Sequence, residues 1–363
     1  MMKPSTPRLE QYPERVAENA RAIFSLCHKH GIAVASVGKV ICAQPEIMRA
    51  IAAAGADMLA DSRLENLASL REMGLKLPLM LLRIPTPSQV AETVRVADIS
   101  LVSDLETIVK LAAAASANAV IHKVILMIDL GDLREGIWPD KTISTLRQII
   151  TLPGIEVIGL GANLACYGGV IPTTEKMQQL INLRDKAEAE LNIALPVLCG
   201  GNSANLPLLA AGGMPSQINL LRIGETIILG RNVLDRSPFP ETRQDTFRLV
   251  AEIIEIEEKP SVPIGERGQD AFGGTPQFID RGLRKRAICN LGRQDTDLEN
   301  IEPENPAIIV LGGSSDHLLL DVHDVNPPLA VGDEVAFLPG YSALLAASTS
   351  SYVEKVVIFK NSE

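Results

Sequence analysis

Short apolar runs alternate with amphipathic runs along the first two thirds of the chain. Eight runs rich in Val, Ile and Leu have the length of buried strands, and the segments between them have helical apolar spacing or a high Ala, Leu and Glu content. The predicted strands are 32–37, 58–60, 79–83, 99–102, 124–128, 157–160, 196–198 and 218–221. The predicted helices are 14–28, 46–54, 63–72, 88–96, 105–115, 141–150, 175–190 and 205–211. This repeated alternation favours a (β/α)8 TIM barrel over an open doubly wound sheet.

The connections between these runs carry residues that begin and end helices. The pairs S-D at 103–104 and T-T at 173–174 stand where a side chain caps a helix N-terminus, and Gly55 and Gly74 stand where a glycine ends a helix. No G-x-G-x-x-G follows the first predicted strand, which disfavours a dinucleotide-binding fold. The turn chemistry therefore supports the barrel.

The character of the chain changes after Arg231. Residues 235–240 read as a proline-rich linker, and the remainder consists of runs typical of strands, separated by turn sequences such as G-G-S-S at 312–315. The predicted strands of this region are 246–257, 285–291, 307–311, 317–322, 334–338 and 352–359. We therefore expect an α/β barrel over residues 1–235 and an all-β domain over residues 236–363.

Composition and charge narrow the possible partners. The chain of 363 residues is 46% hydrophobic but has no apolar run near the roughly 18 residues of a membrane span, so we expect a soluble globular protein. Residues 1–10 lack the apolar core of a secretory signal, which favours the cytoplasm. A net charge of −10 and only 3% aromatic residues disfavour nucleic acid and anionic membranes as partners. The five cysteines contain no C-x-x-C pair, which is typical of reduced thiols rather than of a zinc site.

A single lysine interrupts the apolar stretch A-V-A-S-V-G-K-V-I-C-A-Q-P at residues 33–45. An unpaired ammonium in an apolar site costs several kcal/mol or gives up its proton, so Lys39 is a candidate for chemistry. The same pattern also fits a lysine at a strand end whose stem lies along the barrel while its ammonium reaches water. Pro45 is expected in the first turn of the following helix.

Polar residues cluster where the predicted strands end, which is where (β/α)8 barrels place their reactive groups. The segment D-L-G-D-L-R-E-G follows the fifth strand, G-A-N-L-A-C-Y-G-G the sixth, C-G-G-N-S-A-N the seventh and L-R-I-G-E-T the eighth. These segments contribute Asp129, Arg134, Gly136, Asn163, Cys166, Tyr167, Ser203, Arg222, Gly224 and Glu225.

The last two of these segments have the composition of a phosphate site. Glycines let backbone N–H groups approach an anion, and Ser203 adds a hydroxyl near a helix N-terminus. A phosphate site across the barrel mouth from a reactive lysine implies pyridoxal 5'-phosphate, held by a Schiff base to Lys39. From the residues alone, Arg134 and Arg222 also fit rim arginines in ion pairs, and Ser203 also fits a plain N-cap.

Taken together, these motifs resemble the alanine-racemase-like, fold-type III family of pyridoxal phosphate enzymes, and within it the ornithine and lysine racemases. The resemblance rests on S-V-G-K-V-I-C-A, L-C-G-G-N-S-A-N, L-R-I-G-E-T and N-L-G-R-Q-D, and on the order in which they occur. It covers both predicted domains. It implies a barrel with a C-terminal β domain, a bound pyridoxal phosphate and amino acid racemisation.

The resemblance also implies roles for individual residues. Lys39 matches the lysine that carries the cofactor, and Arg222 matches the arginine that faces the pyridine nitrogen. Because a guanidinium keeps its proton, that nitrogen would stay largely unprotonated, which suits return of a proton to Cα rather than transamination. Arg134 resembles the arginine near the cofactor's phenolic oxygen, and Asn163 falls where alanine racemases place a histidine. The phosphate-binding positions match Ser203, Gly224 and Glu225.

The sequence departs from the family at the second acid/base. Alanine racemases use a tyrosine from the β domain of the partner subunit, and the matching motif N-L-G-R-Q-D has Arg293 instead. Arg293 is too basic to exchange a proton, but it suits bidentate binding of the substrate carboxylate. The remaining candidates for this acid/base are Tyr341, Tyr352, Tyr167 and Cys166.

We therefore expect a cytoplasmic, homodimeric racemase of ornithine, lysine or a related amino acid. One alternative is a D-amino acid aldolase or dehydratase of the same fold. Those relatives hold a metal with His and Cys or Asp, and the spacing of His317, His323 and Cys289 predicts no metal site. The other alternative is a protein that carries pyridoxal phosphate without turnover, and such relatives are single barrels.

Overall fold

The computed structural model describes residues 5–359, which form two compact units. One unit runs from Pro13 to Gln244, and the other combines the chain up to Tyr12 with the chain from Asp245 onward. The first strand, β1 (Arg8–Gln11), pairs antiparallel with residues 247–250 and parallel with residues 354–357. These backbone hydrogen bonds place the start of the chain in the second unit, whereas the sequence led us to assign it to the barrel.

The boundary between the units also lies later than the predicted division at residue 235. The backbone N–H of Phe239 donates to the Gly230 carbonyl at 2.8 Å. The Asn19 side chain bonds both the N–H and the carbonyl of Arg243, at 2.7 and 2.9 Å. The proline-rich stretch is therefore a segment attached to the barrel unit and not a free linker.

Eight parallel strands close the first unit into a barrel. The strands are β2 (Ala33–Val37), β3 (Met58–Asp61), β4 (Leu79–Leu81), β5 (Ile99–Val102), β6 (His122–Ile128), β7 (Ile155–Ala162), β8 (Val197–Asn202) and β9 (Leu220–Ile223). The helices are α1 (Pro13–Lys29), α2 (Pro45–Ala53), α3 (Leu64–Glu72), α4 (Val90–Val96), α5 (Leu105–Ala117), α6 (Thr142–Ile149), α7 (Thr174–Leu191), α8 (Leu206–Ala210) and α9 (Glu225–Leu229). Pairing of β9 with β2 completes the ring. The predicted (β/α)8 barrel is confirmed.

Strand β6 packs into two cores, one on each of its faces. In β6, Ile125 and Met127 pack in a cluster made of barrel strand residues. Leu126 and Ile128 pack in a second cluster that includes helix residues such as Leu111. Because both faces of the strand are buried, its apolar residues are consecutive rather than alternating with polar ones.

The predicted helix ends are present. The Asp104 carboxylate accepts the N–H of Thr107 at 2.8 Å at the start of α5, and the Thr173 hydroxyl accepts the N–H of Lys176 at the start of α7. Gly55, which follows α2, has φ of +107°, a backbone conformation that side chains disfavour. The local sequence therefore determines where these helices begin and end.

Two strands extend further than their sequences indicate. β8 continues through Gly200 to Asn202, where a turn was expected, and β9 continues to Ile223, beyond the predicted end at residue 221. A Cβ on Gly200 would lie 2.8 Å from Cγ2 of Ile218, so the strand packs here because glycine has no side chain. As a result Arg222 is a buried strand residue.

The second unit contains a mainly antiparallel sheet. Its further elements are β10 (Phe247–Pro260), β11 (Leu283–Cys289), β12 (Ile301–Pro303), β13 (Ile309–Gly313), β14 (Leu318–Asp321), β15 (Glu334–Pro339), α10 (Tyr341–Thr349) and β16 (Glu354–Val357). The strand order is β12-β15-β10-β11-β14-β13, with β1 beside β10. The predicted β domain is confirmed, although β12 and α10 were not among the predicted elements. The latter reads S-A-L-L-A-A-S-T and lacks the polar face by which a surface helix is recognised.

Candidate active site

Lys39 lies at the end of the first barrel strand, in a short turn between β2 and α2. The turn is a single 3-10 segment, Lys39–Ile41, and Pro45 begins α2 as predicted. Gly38 anchors the turn, since its N–H donates to the Ala60 carbonyl and its carbonyl accepts the N–H of Ala43, both at 3.0 Å. The lysine is therefore held at the C-terminal end of the barrel strands, where such barrels carry out chemistry.

The Lys39 side chain lines a cavity of about 350 Å³. The other lining residues are Ser62, Leu82, Arg83, Ile84, Arg134 and Glu135. Although the side chain keeps solvent access through this cavity, the surrounding protein desolvates its ammonium. Burial lowers the pKa of Lys39, Cys166 opposes that effect and Arg134 adds to it. A larger fraction of the amine is therefore neutral near pH 8 than for a lysine in water.

Arg134 and Cys166 lie beside Lys39, on loops that follow β6 and β7. Arg134 pairs with both carboxylate oxygens of Glu135. Its Nη1 atom donates to Sγ of Cys166 at 2.8 Å. The structure thus brings three of the predicted site residues into one cluster.

Asp132 fixes the loop that carries Cys166. Its carboxylate accepts backbone N–H groups of Cys166 at 3.2 Å, Tyr167 at 2.9 Å and Val170 at 3.0 Å. The Asp132 side chain is buried, and these three bonds compensate for the loss of water. The sequence contains this residue in D-L-G-D-L-R, but its burial against another loop leaves no local signal, so we did not assign it a role.

Arg222 is buried on β9, and acceptors from two neighbouring strands surround it. Nη1 donates to Sγ of Cys199 at 2.8 Å, and Nη2 donates to the Ala162 carbonyl and to Oδ1 of Asn163, both at 3.1 Å. The Asn163 side chain is buried too, and its Nδ2 atom has no hydrogen-bond partner among residues 5–359. This amide is a donor that a bound group can satisfy.

Asn202 connects the Arg222 environment to the predicted phosphate site. Its Nδ2 atom donates to Oδ1 of Asn163 at 3.1 Å, and its Oδ1 atom accepts the N–H of Ala204 at 2.8 Å. Ser203 lies between Asn202 and Ala204 in the chain, and its hydroxyl accepts the N–H of Gly224 at 3.3 Å. The hydroxyl and backbone groups expected to bind phosphate are therefore adjacent, just after the ends of β8 and β9.

Glu225, the first residue of α9, has a buried carboxyl group next to this pair. Burial raises its pKa, while its ion pair with Arg236 and the charge of Lys39 lower it. The side chain is thus committed to Arg236. Only its backbone N–H remains for the predicted contact with phosphate.

Asp61, at the end of β3, is a fully buried carboxyl group that the sequence analysis did not identify. Oδ1 accepts the N–H of Arg63 at 2.9 Å and Nδ2 of Asn66 at 3.0 Å. Oδ2 has no hydrogen-bond partner among the described residues. Burial raises its pKa to about 6, although these hydrogen bonds and the Lys39 charge act in the opposite direction.

Replacing Asp61 by Asn should raise the free energy of unfolding at pH 7 by up to about 3 kcal/mol. The folded-state pKa of about 6 exceeds the ordinary value of 3.8, so the folded protein binds the proton more tightly and wild-type stability falls as the pH rises from about 4 to 6. The variant lacks this fall. Urea unfolding of protein prepared without cofactor, at pH 4 to 8, measures it. Asp140→Asn, at an exposed position, is the control, and parallel pH profiles for Asp61→Asn and wild type would contradict the assignment.

The remaining candidates lie in the second unit, with one exception. Arg293 approaches Oε1 of Glu299 at 3.5 Å, and its guanidinium stacks 5.0 Å from the ring centre of Phe272. Tyr341 begins α10, and Tyr352 is 70% exposed. Tyr167, on the Cys166 loop, is 77% exposed.

The residues of the barrel mouth fit pyridoxal 5'-phosphate. The primary amine of Lys39 is partly desolvated, Ser203 and Gly224 offer a hydroxyl and a backbone donor, and the Asn163 amide has an unused donor next to the Arg222 guanidinium. The cavity beside Lys39 leaves room for an amino acid. Of the described residues, no group of three His, Cys, Asp or Glu side chains is arranged to hold a metal ion. Within residues 5–359, no helix combines the length and the apolar content that crossing a membrane requires.

The chain is similar to known proteins over nearly its whole length. The family model for the alanine racemase N-terminal domain matches residues 13–231. The ornithine racemase of Acetoanaerobium sticklandii is 42% identical over 353 residues, which cover 97% of this chain and 99% of that protein. The lysine racemase of Thermotoga maritima is 41% identical over 350 residues, which cover 96% and 98%. A solved alanine racemase of Clostridium difficile 630 shares the fold with a TM-score of 0.72 at 19% identity, and the match covers 99% of this chain and 97% of that one.

Proposed function

The chain belongs to the alanine racemase family, and on this premise we propose that it interconverts the L and D forms of ornithine, lysine or a related amino acid. The observation that carries the proposal is the position of Lys39 at the end of a barrel strand, where it lines a cavity together with Arg134, which in turn contacts Cys166. Relatives named ornithine and lysine racemase, similar over the full length of the chain, support this choice of substrates.

Five parts of the barrel mouth would hold the cofactor. Lys39 would bind it covalently, Ser203 and the backbone of Gly224 and Glu225 would bind its phosphate, and Arg222 would face its ring nitrogen. Pyridoxal 5'-phosphate, when bound, supplies a ring that withdraws electrons from the amino acid and so makes its Cα proton acidic. Three acceptors fix Arg222 in place, so its guanidinium would donate to the ring nitrogen and retain its own protons.

Inversion at Cα needs a proton removed from one side and another delivered to the opposite side. Lys39 is the group we assign to one side, because its lowered pKa favours the neutral amine that accepts a proton. For the other side we propose Cys166. Its Sγ atom accepts a hydrogen bond from Nη1 of Arg134 at 2.8 Å, which places the thiol in the same cluster as Lys39.

We expect purified protein loaded with pyridoxal phosphate to abolish the optical activity of L-ornithine or L-lysine solutions. Circular dichroism of a panel of L-amino acids, followed to equilibrium, measures this and ranks the substrates. Formation of equal amounts of the two enantiomers supports the proposal. Exchange of the Cα proton with solvent deuterium but no D-amino acid would indicate a carrier or one-sided catalyst and overturn it.

We also propose that the protein works as a homodimer in the cytoplasm. Support for the dimer comes from apolar side chains that solvent reaches in the second unit, such as Ile264 at 89% and Ile279 at 72% exposure, since exposed apolar groups in one segment are typical of interfaces. All five cysteines are free thiols, which is typical of reducing compartments. Light scattering tests the first point, and an active monomer would contradict it.

A further inference from the structure

Arg83 is a charged residue of the Lys39 cavity to which neither the sequence motifs nor the proposed cofactor contacts give a role. It lies two residues after the end of β4 and lines the same cavity as Lys39, Arg134 and Glu135. The Arg83 side chain is exposed, and among residues 5–359 its guanidinium forms no hydrogen bond or ion pair. Its five N–H donors are therefore available to a ligand that enters the cavity.

The positively charged side chains that line this cavity differ in whether a negative group neutralises them. Arg134 is neutralised by Glu135, which it binds through both carboxylate oxygens, and it donates a further bond to Cys166. Lys39 would no longer carry an ammonium group once it had bound the cofactor. Arg83 then carries the one full positive charge among the lining residues that has no partner in the described chain.

We propose that Arg83 binds the α-carboxylate of the amino acid substrate. This inference rests on the proposed function and extends it by assigning a substrate contact. A guanidinium fork binds a carboxylate through two parallel N–H bonds, which fixes both the position and the orientation of Cα relative to Lys39. The neighbouring Leu82 and Ile84 give the same cavity an apolar wall suited to the methylene groups of a long side chain.

In this assignment Arg83, and not Arg293, binds the substrate carboxylate. That arginine has other contacts within its own unit, with Glu299 and the Phe272 ring. Arg83, by contrast, lies in the unit that carries Lys39. The carboxylate contact can therefore be made by the barrel itself.

The test compares a ligand with and without the carboxylate. L-Ornithine and 1,4-diaminobutane share the same amines and methylenes, and their binding to the loaded enzyme is followed through the visible absorbance of the cofactor. We expect Arg83→Gln to weaken ornithine binding roughly 10- to 100-fold and to leave diaminobutane binding within about twofold. The KM for ornithine should rise by a similar factor, with a smaller effect on kcat because the contact is made before and during the reaction alike. Arg83→Lys keeps the charge without the fork and should restore part of the loss.

Arg147→Gln, at an exposed position of α6, controls for the loss of one positive charge. Cofactor content and circular dichroism of each variant verify that it is folded. The assignment would be overturned if Arg83→Gln weakened the binding of both ligands equally. It would also be overturned if wild type bound the two ligands with the same affinity. If wild type binds ornithine more tightly than diaminobutane but racemises no amino acid, the proposed function fails while the carboxylate contact of Arg83 is still measured.

Discussion

Replacing Lys39 by Ala should lower the racemisation rate by roughly 10⁴-fold, the upper range for loss of one acid–base group, because the same amine also binds the cofactor. The cavity beside Lys39 has no second lysine among its lining residues, so no neighbouring amine is placed to substitute. The rate is measured by circular dichroism with L-ornithine or L-lysine. The visible spectrum before and after borohydride gives an independent readout, since a cofactor bound through Lys39 becomes fixed to wild type and is lost from the variant.

Two controls separate the chemistry of Lys39 from its charge. Lys39→Arg keeps a positive charge in the barrel mouth but cannot bind the cofactor covalently, so it should be as inactive as Lys39→Ala. Lys123→Ala removes an exposed lysine at the other end of a barrel strand and should leave rate and spectrum unchanged. A variant at Lys39 that retains the borohydride-fixed absorbance and a tenth or more of the wild-type rate would contradict the assignment.

The barrel could be predicted from the sequence because each of its units is local. A buried parallel strand and its following helix lie within about 30 residues, and caps such as Asp104 and Thr173 mark their ends. The C-terminal end of β8 could not be predicted, because the sequence C-G-G-N is typical of a turn. Its extended backbone depends on packing against Ile218, a contact the sequence does not record.

The second unit shows the same limit at longer range. β1 pairs with residues more than two hundred positions later, and nothing in R-L-E-Q indicates that partner. Composition suggested a break near the prolines after residue 235, but hydrogen bonds between Asn19 and Arg243 keep that segment on the barrel unit. Division of a chain into units depends on such distant contacts.

In the site, the residues predicted from strand ends come together where barrel geometry directs them. Lys39 is coupled electrostatically to Cys166, Arg134 and Arg222, which come from three other strand ends. Two further residues of the site can be recognised only from their burial in the structure. Asp61 and Asp132 are ordinary acidic residues by composition, and only the structure shows that both are buried and accept backbone N–H groups. Arg83 belongs to none of the sequence motifs, and only the structure shows that it lines the cavity beside Lys39.

Replacing Cys166 by Ala should lower net inversion roughly 10³-fold, within the range for one acid–base group, while Lys39 continues to exchange protons on its own side. The two sides of Cα are served by different groups in the proposed mechanism, so the variant should retain solvent exchange of the Cα proton for one enantiomer and lose it for the other. Proton NMR in deuterium oxide, run separately with L- and D-ornithine, measures both exchange rates.

The tyrosines of the second unit supply the competing hypothesis. Tyr341→Phe and Tyr352→Phe remove one phenol each, and Cys42→Ala removes another exposed thiol as a matched control. If a tyrosine variant shows the one-sided exchange and Cys166→Ala does not, the second acid/base comes from the β unit and the assignment to Cys166 is wrong. If Cys166→Ala alone shows it, the hydrogen bond from Arg134 gains a purpose, because it holds Sγ of Cys166 in the cluster beside Lys39. In that case the barrel contains both proton-transfer groups, and the arginine at position 293 no longer conflicts with racemisation.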